Sequence, residues 1–153
     1  MAHETTDAVK LLKKDHREVA ALLKEIQNTT ERAEKTREEL FAQIKEALEV
    51  HTKIEEDVLY PALKETKTTH DITLEAYEEH AVVKTLLKEL DAEDKNTEEW
   101  LAKLTVMSEN IEHHVEEEEE DMFVKMEKAL PKEELEQIGQ AMAEEKERLL
   151  AQK

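Results

Sequence analysis

Residues 51–60 read HTKIEEDVLY, and residues 114–123 read HVEEEEEDMF. In each, a histidine is followed by acids at i+4 and i+5 and by an aromatic at i+9, and the two stretches lie 63 positions apart. A second pair of stretches precedes them. DHREVAALLKEI starts at Asp15 and EHAVVKTLLKEL at Glu79, 64 positions on; each has an acid, a histidine, a valine three residues later, and LLKE from six residues later. The chain therefore reads as a duplicated helical hairpin, in which a pseudo-twofold axis relates the halves. Four of the seven histidines pair across the repeat, His16 with His80 and His51 with His114. His3, His70 and His113 have no counterpart: Thr6 stands opposite His70, and Val50 opposite His113.

Apolar spacing around these residues is helical. Val9, Leu12, Val19, Leu23 and Ile26 recur in steps of three and four, and His16 falls on their stripe. Ala76, His80, Val83, Leu87 and Leu90 repeat that pattern. Ile44, Leu48, His51, Glu55 and Val58 form a third stripe, and Leu104, Met107, Ile111, His114, Glu118 and Met122 a fourth. Helices are expected over about 7–27, 31–64, 71–90 and 98–129, with Thr5 or Thr6 capping the first and Thr97 standing before the fourth. Asn28, Thr29 and Thr30 should end the first, Pro61 should kink or end the second near Leu59, and Pro131 suits the first turn of a fifth. That last helix carries Leu135, Ile138, Met142 and Leu149 on one side, a face for the bundle or for a partner. Short connections favour antiparallel neighbours. The expectation is an all-α, up-down-up-down four-helix bundle with an internal twofold repeat: one domain over residues 1–153, with a bundle over about 5–129 and a short C-terminal helix over about 131–152.

Six polar groups on core stripes are costly, since each buried polar group left unpaired costs roughly 1–3 kcal/mol. They must satisfy one another or a bound ion. The i, i+4 spacing puts His51 and Glu55 on one helix face, as it does His114 and Glu118. Four imidazoles and two bridging carboxylates offer about four ligand atoms to each of two ions, a mixed nitrogen and oxygen set that suits iron or manganese and also zinc.

Composition narrows the rest. One glycine, two prolines and 3% aromatics exclude a sheet-rich fold and leave an aliphatic core. With 22 basic and 40 acidic residues the net charge is -18, which repels nucleic acid and anionic membrane surfaces. Without cysteine there is no disulfide, thiolate site or thiol catalysis. No apolar run approaches the roughly 20 residues of a membrane span, and MAHETTDAVK lacks the layout of a signal peptide, so the expected location is cytoplasmic.

The pattern H…HxxxE…H…HxxxE on four helices resembles the hemerythrin-like, HHE cation-binding family, and HTKIEEDVLYP and HVEEEEEDMF are similar to its helix-two and helix-four signatures. The resemblance spans nearly the whole chain apart from the last helix. It implies a non-haem di-iron site bridged by two carboxylates and an oxo or hydroxo group, with metal ligands His16, His51, Glu55, His80, His114 and Glu118, and manganese or zinc ranking behind iron. It implies a small oxidant as ligand: O2, hydrogen peroxide or nitric oxide. Oxygen-carrying hemerythrins have a further histidine one turn after the third-helix ligand, where this chain has Lys84, and an aspartate at i+5 in helix four, where it has Glu119. Peroxide decomposition, nitric oxide chemistry or sensing, and iron handling therefore rank above reversible oxygen carriage.

Tyr77, three residues before His80, reads first as plain core packing and second as a candidate to approach the vacated position. Tyr60, Phe123 and Trp100 read as packing, His113 as a surface or supporting residue, and His70 as a helix start. Glu116, Glu117, Glu120 and Asp121 read as a solvated acidic face, with Glu119 a second candidate for the site. No separate general acid or base stands out, so any chemistry would be the metals' own. The alternative function is a metal-stabilised regulatory or binding bundle without catalysis, whose C-terminal helix docks on a protein partner or a second copy. A designed or reconstructed scaffold also fits 41% charge with one glycine.

Overall fold

The computed structural model describes residues 7–152. The expected cap at Thr5 or Thr6 and His3 lie outside them. Helix α1 spans Asp7–Gln27, α2 Glu34–Ile54, α3 Tyr60–Lys64, α4 His70–Ala92, α5 Glu98–Glu117, α6 Phe123–Ala129 and α7 Lys132–Ala151. Among the described residues there is no strand, and no helix is long and apolar enough to cross a membrane. The four long helices α1, α2, α4 and α5 form the bundle, with α1 beside α2 and α5, and α4 beside α2 and α5.

The stripes read from the sequence face inward. Ile26, Ile44, Leu90 and Leu104 are fully buried, and so are Phe41 and Trp100, so the core is aliphatic with aromatic plugs. The apolar interior falls into two clusters. One, around Leu23, Phe41, Leu90 and Trp100, fills the loop end; the other, around Leu12, Leu59, Tyr60, Phe123 and Met126, fills the opposite end. The buried histidines and glutamates lie between them. At the loop end Arg37, itself buried, donates to Thr29 Oγ1 at 2.8 Å and to the Lys95 carbonyl at 2.6 Å, tying two connections together. Thr97 caps α5 by accepting from the Trp100 N–H at 3.0 Å.

Three local expectations are made more definite. The second helix reaches Lys64, as expected, and the interruption expected of Pro61 lies just before it. A π-helical turn over Glu55–Leu59 precedes it, and Tyr60 N–H bonds back five residues to Glu55. This widened turn resets the register, so that Pro61 falls at the start of a fresh α segment, where a missing N–H is tolerated. A matching π turn over Glu118–Met122 divides α5 from α6 and returns Phe123 N–H to Glu118. Pro131 is the residue before α7 rather than within its first turn. Finally, of the two roles expected for the α7 face, the bundle takes it: Leu135, Ile138, Met142 and Leu149 are buried against α1 and α2.

Candidate metal centre

Each half of the repeat contributes the same parts. The helix interior supplies a histidine (His16 from α1, His80 from α4), and the end of the following long helix supplies another (His51 from α2, His114 from α5). The first residue of each π turn is the carboxylate, Glu55 or Glu118. All six side chains are buried, the two glutamates at 0% and 1% exposure.

They converge. His16 Nε2 lies 3.1 Å from Glu118 Oε1, and His114 Nε2 lies 3.2 Å from Glu118 Oε2. His51 Nε2 and His80 Nε2 lie 3.3 and 3.0 Å from Glu55 Oε1. Two overlapping groups result, His16, His51, Glu55 and Glu118 in one, and His80, His114, Glu55 and Glu118 in the other. In each, one ligand-type atom per residue falls within 4.8 Å of the rest.

A layer of acids behind the imidazoles fixes how they are used. His16 Nδ1 donates to Glu119 at 2.6 Å, His80 Nδ1 to Glu56 at 2.7 Å, His51 Nδ1 to Asp15 at 3.0 Å, and His114 Nδ1 to Glu79 at 2.7 Å. These four acids also pair across the repeat, Glu56 with Glu119 and Asp15 with Glu79. With every Nδ1–H committed outward, every Nε2 presents its lone pair to the centre, the tautomer a metal requires. Glu119, a candidate for the site itself, thus sits outside the ring of imidazoles, behind His16. The π turn explains the placement: an extra residue in the turn swings Glu56 and Glu119 toward the histidine of the neighbouring helix.

Four atoms are left over. His16 Nε2, His51 Nε2, Glu55 Oε2 and Glu118 Oε1 are buried without a hydrogen-bond partner. A lone pair facing a carboxylate oxygen at 3.1 Å is repulsive unless a cation or proton lies between, so this donor set fits a bound metal. Without metal, protons take that role. Burial opposes a charged His51, but Glu55 and then Asp15 outweigh it and push its pKa up to about 10. Burial likewise opposes charge on His114, and Glu118, Glu55 and Glu79 push it up in turn. Burial resists ionisation of Glu55, and His51, His114 and His80 hold its carboxyl well below the ordinary range.

The tyrosine at the site is Tyr60, not Tyr77. Tyr60 is fully buried, and its hydroxyl donates to Glu118 while lying 3.2 Å from Glu55 Oε1, 3.3 Å from His80 Nε2 and 3.4 Å from His114 Nε2. Burial first, then the Glu118 and Glu55 carboxylates, raise its pKa well above the ordinary phenol value and keep it a donor. Tyr77 is half-buried and packs on the Tyr60 ring at 5.2 Å. Phe123, the repeat partner of Tyr60, stacks on His16 at 6.2 Å. The signal for Tyr60 was its position nine residues after His51, on the far side of the π turn.

The other described histidines, His70 and His113, stay out of the centre. His70 opens α4 and bonds the Lys64 carbonyl at 2.7 Å. His113 is exposed and lies 3.3 Å from Glu117 and 3.9 Å from Glu79, the acid behind His114. Lys84 binds both oxygens of Glu56 at 2.9 and 3.0 Å and does not enter the centre.

Comparison with known proteins agrees with this arrangement. The sequence model of the hemerythrin HHE cation-binding domain matches residues 7–126. The crystal structure of a hemerythrin HHE cation-binding domain-containing protein from Mycobacterium kansasii superposes with a TM-score of 0.77 and 27% identity, over 95% of this chain and 88% of that one. A protein of Nostoc sp. named a DNA nickase is 29% identical over 127 residues, 83% of this chain. The match spans only 35% of the length of that relative.

Proposed function

The chain belongs to the hemerythrin HHE cation-binding domain family, and on that premise we propose that its buried centre holds two iron ions and binds or reacts with O2, hydrogen peroxide or nitric oxide. The observation that carries this reading is the set of four orphaned ligand-type atoms that face one another among the described buried residues. His16 and His51 would hold one ion, His80 and His114 the other, and Glu55 and Glu118 would serve both, with the Tyr60 phenol as an added donor at the second. Iron so held would supply electrons and Lewis acidity to a small oxidant.

The protein's own part is preorganisation. The acids behind the imidazoles hold Nε2 inward, the apolar clusters on either side exclude water, and Tyr60 carries a proton between the two carboxylates, where a reduced oxidant needs one. Residues 1–153 are taken as one such domain. DNA nicking is not carried over from the Nostoc relative, because a net charge of -18 opposes a phosphate backbone. A purely regulatory, metal-stabilised bundle is the weaker reading, since the apolar face of α7 that would dock on a partner is already buried.

The test is metal content together with the ultraviolet–visible spectrum of protein from iron-supplemented medium, followed by peroxide and nitric oxide titration. About two irons per chain with a band at roughly 300–400 nm that the ligands perturb supports the reading. Stoichiometric zinc without reactivity would favour the regulatory alternative, and absence of any metal would sink both.

A further inference from the structure

Beside the four imidazoles, on the side of the loop-end cluster, lies a small, partly open cavity. Its other walls are Val19 and Val83, Leu48 and Ile111, and Thr52 and Val115, each pair related by the repeat, so the cavity sits on the pseudo-twofold axis. Its volume of about 30 Å³ is room for roughly two water-sized spheres.

The bundle has four seams through which this cavity could meet solvent, and on three of them the acid behind the histidine is met in turn by an outer basic side chain. Helix α7 packs along α1–α2, where Lys146 donates to Asp15 at 2.7 Å, and the cleft left on that seam meets the cavity at Val19 alone. On α4–α5, Glu79 lies between His114 and the exposed pair His113–Glu117. Across α2–α4 run two ion pairs, Lys45–Asp91 at 3.1 Å and Lys84–Glu56 at 2.9 Å. The α1–α5 seam is the pseudo-symmetric equivalent of α2–α4, and its substitutions are informative. Gln27 and Ser108 stand where Asp91 and Lys45 stand, and bond at 3.1 Å. Ala20 stands where Lys84 stands, so nothing from that position reaches Glu119 as Lys84 reaches Glu56. An open cleft runs along this seam past Ala20 to His16, Ile111 and Val115, the three residues it shares with the cavity.

We propose that the α1–α5 seam is the entry for the ligand of the centre, and that it admits an uncharged molecule of about two heavy atoms, the size the cavity accepts. Replacement of lysine by alanine at position 20 opens one of two otherwise equivalent approaches, and Ile111 and Val115 set the width of the passage. The chemical class follows from the walls: aliphatic side chains strip water from a ligand and favour a neutral one. This rests on the reading of the centre as a small-oxidant site.

Two measurements separate access from reactivity. In zinc-loaded, diamagnetic protein, dissolved O2 should broaden the methyl resonances of Val19, Val83, Ile111 and Val115 more than those of other buried methyls. Ala20→Leu, an exposed helix former replacing another, and Val115→Phe should each remove that excess broadening. In iron-loaded protein the same variants should retain full metal content yet take up nitric oxide about tenfold more slowly, a rise of 1.4 kcal/mol in the barrier. Unchanged broadening and unchanged rates in both variants would overturn the proposal, as would an absence of cavity broadening in the parent. Broadening without any nitric oxide reaction would leave the entry standing and remove the oxidant reading.

Discussion

The two ligand groups of the centre share a backbone plan and differ by one oxygen. On the His80 and His114 side, Tyr60 stacks on His80 at 5.2 Å and its hydroxyl reaches both Nε2 atoms and both carboxylates. On the His16 and His51 side the corresponding ring is Phe123, and both Nε2 atoms and Glu118 Oε1 lack partners. Duplication fixes where ligands stand, because helix and π-turn geometry repeat with the sequence; a hydroxyl present in only one half decides what each position tolerates when empty. The phenylalanine side gains more from a cation, so the first metal should enter there, and the second should have to displace hydrogen bonds already made.

The largest effect should come from the residues the two sides share. Glu55→Ala or Glu118→Ala removes a carboxylate that belongs to both groups, and elemental analysis should find both positions emptied. His51→Ala should empty one. Retention of a full ion at either position in Glu118→Ala would break the shared-carboxylate view.

Next comes the difference itself. Tyr60→Phe makes the second side a copy of the first, leaving two more imidazole nitrogens unpaired in metal-free protein, at a cost of about 1–3 kcal/mol in urea unfolding. Phe123→Tyr should do the reverse, raising metal-free stability by giving His16 and Glu118 a partner. If Tyr60→Phe left metal-free stability unchanged, the hydroxyl would not be what distinguishes the two sides.

Much of this centre was legible because periodicity and repetition agree on the same residues: His16, His51, His80, His114, Glu55 and Glu118 all lie on apolar stripes and all pair across the halves. The bundle was legible for the same reason. What escaped was the local widening at Glu55–Leu59 and Glu118–Met122, since a π turn leaves the apolar spacing nearly intact and is stabilised by what the centre demands rather than by propensity. The form of the interruption before Pro61 and the place of Glu119 behind His16 follow from that widening. The reading of Tyr60 as plain packing follows from its omission, because uninterrupted α geometry gives no reason to bring the residue nine positions after His51 back to the centre. The acids behind the imidazoles were visible as the recurring residue before each α1 or α4 histidine and as the acid at i+5, although the sequence gives no hint which nitrogen they would hold.

Smaller effects should come from those acids. Asp15→Asn keeps the hydrogen bond to His51 but removes the charge, and should weaken metal at the His16 and His51 position by about 10–100-fold while sparing the other. Its pH signature in metal-free protein follows from His51. An imidazole with a raised pKa contributes its stability in full below its ordinary value of 6.5 and loses it as pH rises through about 10. In Asp15→Asn that loss should arrive at lower pH. An alkaline limb that does not move would mean that Glu55 alone sustains the charge.

The smallest effect isolates the one link between α7 and the centre. Lys146 reaches Asp15 at 2.7 Å, and the Glu79 side has no lysine in that place, only the longer contact to exposed His113. Burial raises the pKa of Asp15, but His51 and then Lys146 outweigh it and hold the carboxyl below its ordinary 3.8. Stability from that group is therefore present above 3.8 and lost as pH falls through the lowered value. Lys146→Met keeps the stem against the bundle and deletes the charge, so the acid limb of unfolding should shift to higher pH by an amount worth about 0.2–1 kcal/mol, as for a partly exposed pair. If α7 serves only as a cover, metal affinity should be untouched. A selective weakening at the His16 and His51 position would make the C-terminal helix an electrostatic brace for one half of the centre, and would extend the asymmetry begun by Tyr60 and Phe123 to the outside of the bundle.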